Sequence, residues 1–437
     1  MKEGQYSMLQ KVFKLKDNNT TAKTEIIAGI STFFTLAFII AVNPAILSDA
    51  GIDFAAGFVA TIIASALGCF IIGIWAGWPV AIAPGMGLNA YFAYVVVLGH
   101  GFSWQQALAA VFISSILFFL FSLSKARSWL ILSIPKSLQA GITAGIGMFL
   151  AMIGLTSAGI IVDNPDTLIG IGDFTQAPVL LSFIGLIFMA GLSYRGITGA
   201  ILLSILVISA IGWSIGLADI GGIASMPPLA TAAFSLDFSA IASAGFLSVV
   251  FVMFFVDFFD TTGTLTAIAE PAKLRKPDGT IKNLDRAVLA DTSASIFGSL
   301  LGTSNMTTYL ESAAGLKAGG RTGLTAVTIG VLFLSCLFFE PFFASIPSFA
   351  TAPALIFVAA AFLSSLKNVN WDDMGEALPV LLIILIMPLT FSIAAGIAFG
   401  FFAYVGVKTL AGEHKQLPTG VWFISAFGLI WLILSTL

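Results

Sequence analysis

The sequence predicts an all-α polytopic membrane protein: about 14 transmembrane segments in two inverted seven-span repeats, with short extended segments inside spans 3 and 10. Three observations lead there. Hydrophobic residues are 58% of the 437 and charged residues only 9%, with a mean hydropathy of +1.03, too apolar for a soluble globule. Apolar runs of the roughly 20 residues that a membrane helix needs follow one another from about Thr24 to Leu437. Short motifs recur seven spans apart. A β-barrel would instead show alternating segments of about ten residues.

The elements follow in order, separated by Gly, Pro and short polar loops. The first 23 residues are polar and Lys-rich, so a tail is expected rather than a cleavable signal peptide. Spans then fall near 25–47, 54–78, 80–99 and 104–124, up to the basic stretch that includes Lys125, Arg127 and Lys136. Spans near 137–160, 177–194 and 197–217 complete the first half. The second half holds spans near 242–268, 285–303, 306–318, 322–344, 352–366, 377–392 and 394–410. The basic run Glu270–Arg286 lies between the first two of these and reads as a connector, not as a nucleic-acid site. The stretch 418–437 is a further apolar segment, either another span or an interfacial helix. Cys69 and Cys336 each fall inside an apolar run and read as packing residues.

The charges orient this arrangement. With the N-terminus in the cytoplasm, all 19 Lys and Arg fall on the cytoplasmic side, while Asp49, Asp53, Asp163, Asp166, Asp173, Asp219, Asp237 and Glu340 mark the opposite boundaries. That is the positive-inside pattern, and it predicts a multi-pass protein of the cell (inner) membrane.

The chain also echoes itself. Ala64-Ser65-Ala66-Leu67-Gly68 recurs as Ala294-Ser295-Ile296-Phe297-Gly298, and Ser133-Ile134-Pro135 as Ser345-Ile346-Pro347. An odd number of spans per repeat inverts the second copy, the architecture of many secondary transporters, whose sites lie on interrupted helices near the midplane. Span 3 contains Pro84, Gly85 and Gly87, which do not sit comfortably in one continuous helix. Span 10 reads Gly302-Thr303-Ser304-Asn305-Met306-Thr307-Thr308-Tyr309-Leu310-Glu311, rich in β-branched and small polar residues. Each is expected to be an extended segment leading into a half helix, with Asn89 and Glu311 near the half-helix N-termini, where unpaired N–H groups can hold a polar ligand.

Carboxylates inside spans are costly and usually functional. Asp257 and Asp260, in FFVDFFDTTG, and Glu311 are the candidates, with no Lys or Arg at comparable depth in any span. Asp257 and Asp260 lie about one helical turn apart on nearly the same face. Asp291 reads as a residue near the cytoplasmic end of span 9, where it caps the helix, pairs with Arg286 or serves function. Thr32 and Asn43 read as partners for neighbouring carbonyls. His100 and His414 sit at membrane edges. Metal-ligand spacing, nucleophile–base pairs and phosphate loops are absent from the sequence, so neither an enzyme nor a bound cofactor is expected.

At these residues the chain resembles a known family: nucleobase:cation symporters of the second family, in the xanthine/uracil permease superfamily, and among them the AzgA-like adenine, guanine and hypoxanthine permeases. The resemblance covers nearly the whole chain, through NPAILSDAG (43–51), APGMGLNAYFAY (83–94), FVDFFDTTGTL (255–265), TSNMTTYLESAAG (303–315), GGRTGLTAV (319–327) and MPLTFSIAAGIAFG (387–400). It implies a uracil-permease-like fold. A cytoplasmic tail (1–24) would precede a core of 25–124 and 242–344 that carries substrate. A gate of 125–217 and 345–411 would support it, followed by the C-terminal apolar segment 412–437. The substrate would rest between spans 3, 8 and 10, on Asn89, Asp257, Asp260, Glu311, Phe92 and Thr308, with Asp257, Asp260 and Glu311 also coupling protons. Asp260-Thr261-Thr262-Gly263 matches a Glu-x-x-Gly pattern of pyrimidine relatives, leaving Asp257 as an addition. A homodimer through the gate is a further implication.

The chemistry suits a purine, whose N–H edges need acceptors and whose ring nitrogens need donors, with an aromatic such as Phe92 to stack on the ring. The expected function is proton-coupled import of purine nucleobases by alternating access. The alternatives are a carrier for xanthine or uracil, or an anion transporter of similar fold, which would need a cation at its site.

Overall fold

The computed structural model describes residues 9–124, 133–276 and 280–435. Lys2, Lys125 and Arg127, part of the charge pattern above, lie outside them. Helices α1 (Ala22–Leu36) and α2 (Ile39–Asp49) meet at a break at Ala37–Phe38, and α3 (Phe54–Ile71) continues as a π-type turn, Ile72–Ala76. Strand β1 (Ile82–Pro84) leads into α4 (Met86–Ala90), which continues as the π-type turn Tyr91–Val97. Then come α5 (Trp104–Ser122), α6 (Lys136–Ser157), the hairpin β2 (Ile161–Asn164) and β3 (Leu168–Ile171), α7 (Ala177–Tyr194) and α8 (Ala200–Ser214).

The second half runs α9 (Ala244–Ala269), α10 (Leu284–Leu301), β4 (Met306–Thr308), a 3₁₀ turn Leu310–Ser312, α11 (Ala313–Lys317) and α12 (Gly323–Ser335). It ends with α13 (Glu340–Ala344), α14 (Ser348–Leu363), α15 (Met374–Leu389), α16 (Ile393–Leu410) and α17 (Thr419–Ser435). The C-terminal apolar stretch is thus helical, and it packs on α16. Among the described residues nine helical segments, α1 and α2 counted as one, are long and apolar enough to cross a membrane. The chain is an integral membrane protein.

Helix starts are fixed by side chains. Thr21 accepts the Thr24 N–H at 3.2 Å, Asp53 the Ala56 N–H at 3.1 Å, and Ser243 the Phe246 N–H at 3.2 Å. Each satisfies a donor the helix leaves unpaired.

The chain packs as two compact units. The first comprises residues 1–120 and 175–351, with α3 at its centre against α2, α10 and α12. Helices without a hydrophobic drive between them in lipid approach through small residues. A Cβ added to Gly323 would lie 1.7 Å from the Gly73 carbonyl oxygen, so the end of α3 and the start of α12 touch backbone to backbone. The second unit comprises residues 121–174 and 352–437. There α6 packs on α15 through Gly141 and Gly145 and also touches α16, and Ser365 donates to the Ala140 carbonyl at 2.9 Å. Lys408 bridges Asp373 at 3.2 Å and Glu413 at 3.0 Å.

Candidate substrate site

The site is built on two interrupted segments that pair with each other. β1 and β4 run antiparallel, with Ile82 opposite Thr308, Ala83 opposite Thr307 and Pro84 opposite Met306. In an apolar surrounding an unpaired backbone group costs several kcal/mol, and two broken helices from opposite halves of the sequence satisfy one another. The pairing extends at both ends: the Gly85 N–H donates to the Asn305 carbonyl at 2.8 Å and the Tyr309 N–H to the Ala81 carbonyl at 3.1 Å. Side chains close the remainder. Ser312 Oγ accepts the Ala81 N–H at 3.0 Å, Ser295 Oγ lies 2.9 Å from the Met306 nitrogen, and the Tyr309 hydroxyl donates to the Pro84 carbonyl.

Each strand opens into a short helical turn. Gly85 caps α4, and Asn89 sits in its first turn, fully buried. The Asn89 amide donates to Asn43 Oδ1 at 2.6 Å, and Asn43 in turn donates to the hydroxyls of Thr61 at 2.7 Å and Thr303 at 3.0 Å. Glu311 opens the turn after β4 and is partly exposed, its carbonyl accepting the Thr35 hydroxyl at 3.3 Å. Thr32 Oγ1 accepts the Gly315 N–H of α11 at 3.1 Å. Asn43 and Thr32 therefore hold an amide, two hydroxyls and an N–H in place, where neighbouring carbonyls were expected as partners.

The carboxylates of α9 and α10 complete the site. Asp257 is 1% exposed and its Oδ2 accepts from Asn305 Nδ2 at 3.0 Å. Asp260 is less buried and lies beside Thr264 and Thr307. Asp291 departs from the sequence expectation. It is fully buried, and its two oxygens accept the hydroxyls of Thr261 at 2.6 Å and Thr308 at 3.2 Å, not Arg286, which is exposed. Asp291 lies well inside α10, on a face turned to α9 and β4 and not to solvent, which explains the difference. Thr308 thus spends its hydroxyl on Asp291, and Phe92 is fully buried in the turn after α4.

Four buried polar atoms at or linked to residues 303–305 have no hydrogen-bond partner, Asn89 Oδ1, Asp257 Oδ1, Asn305 Oδ1 and Ser304 Oγ, and Thr307 Oγ1 in β4 is a further one in the site. Leaving such an atom unpaired costs about 1–3 kcal/mol. All four cluster around residues 303–305, through Asn305 bonded to Asp257 and Asn89 linked by Asn43 to Thr303. Three of the four are pure acceptors, and no Lys or Arg is buried among the described residues. Such a group receives N–H donors and offers nothing cationic to an anion. The sequence marks Asn305 and Ser304 only as members of a run of small polar residues in apolar surroundings, and leaves Asp291 open between a cap, a pair with Arg286 and function.

Residues 23–399 match the profile of the Permease family designated Xan_ur_permease. The adenine permease AdeP of Escherichia coli is 43% identical over 94% of this chain and 92% of its own length. The guanine/hypoxanthine permease PbuO of Bacillus subtilis is 42% identical over 93% of this chain and 96% of its own. Among solved structures, the transmembrane domain of a cyanobacterial bicarbonate transporter, BicA, superposes with a TM-score of 0.64 at 16% identity, covering 88% of this chain and 97% of that one; at that identity the likeness is one of fold. The relatives are transporters, not enzymes, and the chain belongs to the xanthine/uracil permease family, in the company of the adenine and guanine/hypoxanthine permeases.

Proposed function

We propose that the protein imports purine nucleobases, adenine, guanine or hypoxanthine, by proton symport with alternating access. The observation that carries this reading is the acceptor-rich, cation-free group of unpaired buried atoms around residues 303–305. A neutral purine presents N–H donors that match it, and the curated relatives bear the names of adenine and guanine/hypoxanthine permeases. Asn89, Asp257, Asp260 and Glu311 would hold the base, with Phe92 stacking and Thr308 acting through Asp291. A proton taken up on Asp257, Asp260 or Glu311 together with a neutral base lets the loaded carrier cross without an unpaired charge.

The finer architecture belongs to the same proposal: 14 spans in two inverted repeats, the N-terminus cytoplasmic in the inner membrane, and a homodimer through the gate. The core-and-gate division assigns α7 and α8 to the gate, whereas by packing they belong to the first compact unit. The fold shared with a bicarbonate transporter does not favour an anion substrate, because carboxylates line this site and no buried cation faces them.

Uptake of labelled adenine, guanine, hypoxanthine and uracil into cells lacking their own permeases, with and without an uncoupler, tests the proposal. Purine uptake that collapses with the proton gradient is expected. Uptake that survives the uncoupler and follows Na⁺ would overturn proton coupling, and preference for uracil would overturn the substrate class.

A further inference from the structure

We propose that a cavity beside the first turn of α1 binds a phosphate-bearing anion, at a site separate from the nucleobase site. The cavity, about 490 Å³, is walled from three regions distant in sequence: Asn18 to Thr21 with Thr24 at the start of α1, Ala272 to Leu274 with Lys282 after α9, and Gly319 with Arg321 before α12. That volume lies within the range of small-molecule sites, roughly 300–1,000 Å³. Lys273, Lys282 and Arg321 line it together with the hydroxyls of Thr20, Thr21 and Thr24, and no carboxylate is among the lining residues.

Among the described residues none of these three cations forms an ion pair. Arg321 is held at the wall by donating to the carbonyls of Leu316 at 3.0 Å and Gly320 at 2.6 Å. Thr20 Oγ1 is buried without a hydrogen-bond partner. Lysines scattered along one membrane face need no common target, but three cations brought from two segments around one cavity repel each other, and an anion between them relieves that repulsion.

The backbone supports the same ligand. Thr21, the cap of the 15-residue α1, and Thr24 of its first turn line the cavity, which places the positive end of the helix dipole beside it. Asn19 (φ +49°) and Lys273 (φ +56°) hold the left-handed conformation that side chains rarely adopt, in the two turns that bring these walls together. Cations and hydroxyls arriving from several sides suit an anion with several oxygens around one centre, which is phosphate chemistry. The headgroup of an anionic lipid and a free phosphate both supply it.

The full chain is reconstituted in nanodiscs of phosphatidylcholine, with or without phosphatidylglycerol, as wild type, as Lys273→Gln/Lys282→Gln, and as Lys367→Gln/Lys415→Gln, which removes the same charge from exposed positions elsewhere. Native mass spectrometry reads retained phosphatidylglycerol, and calorimetry reads inorganic pyrophosphate binding in the neutral discs. The expected result is binding in at least one arm that falls about tenfold or more in the first variant and is unchanged in the second. Retained phosphatidylglycerol alone assigns the site to lipid, and pyrophosphate binding in neutral discs assigns it to a free anion. Binding in neither arm, or equal loss in both variants, overturns the proposal. Because the cavity includes no residue of the nucleobase site, purine binding measured on the same samples separates failure here from failure there.

Discussion

A carboxylate inside an apolar helix is stabilised by its neighbours or by its ligand, and the three aspartates of α9 and α10 divide along that line. Asp291 has both oxygens engaged by hydroxyls, and Asp257 has one engaged by Asn305 and one unpaired. Asp260 is the most accessible of the three. Asp260 is therefore the member expected to touch the base, and Asp257 the neighbour that sets its charge as part of a coupled group. Asp260→Asn should weaken purine binding by about 2–5 kcal/mol, a loss of about 30-fold or more. Asp257→Asn should leave binding measurable and move the pH dependence of uptake, and Glu311→Gln should abolish uptake with normal membrane expression. Binding to purified variants between about pH 5 and 9 checks the set; the reverse pattern would exchange the roles of the two aspartates, and a Glu311→Gln carrier of unchanged affinity and rate would remove Glu311 from the site.

At the scale of elements, much of this organisation is legible in the sequence because it rests on local chemistry. Pro84 and Gly85 forbid a continuous helix and Thr307 and Thr308 favour extended backbone, so the positions of β1 and β4 can be read directly. Their pairing with each other cannot, since the register is set by backbone groups more than 200 residues apart. The break between α1 and α2 carries no Gly or Pro at Ala37–Phe38, and the role of Asp291 depends on Thr261 and Thr308, 30 and 17 residues away.

Helix starts are local and testable. Asp373 caps α15 by accepting the Gly375 N–H at 2.8 Å and is paired with Lys408. The backbone bond first and Lys408 second hold its carboxyl below the usual 3.8. A depressed folded pKa stabilises the protein above the unfolded value, and that contribution disappears as pH falls through the folded one. Asp373→Ala should cost about 0.5–2 kcal/mol at neutral pH, and its melting temperature in detergent should converge on wild type below about pH 3.8. A difference that persists undiminished in acid would show that packing, not the ionised cap, is lost.

For the whole molecule, the first compact unit is assembled from two distant parts of the chain. Asn43 meets Thr303, and Thr32 takes the Gly315 N–H. The buried Glu25 carboxylate accepts the Arg321 N–H at 2.9 Å, the Thr322 N–H at 3.1 Å and the Thr325 hydroxyl at 2.6 Å. Trp78 donates to the Lys282 carbonyl at 3.1 Å. Glu25 so fixes the residues leading into α12 from a position about 300 residues earlier, and neither part can satisfy these groups alone. Contacts this distant in sequence form late and at high entropic cost, so each half should be unstable by itself while the covalent link between them is dispensable. The chain between α8 and α9 offers the place to test this, since Leu229 is 98% exposed and exposed loops tolerate breaks. Fragments 1–229 and 230–437, co-expressed, should restore purine uptake to a substantial fraction of the intact protein, whereas either alone should be degraded and inactive. A first fragment that accumulates, resists proteolysis and binds purine without its partner would show that β4, Glu311 and the α9 carboxylates are not needed to build the site.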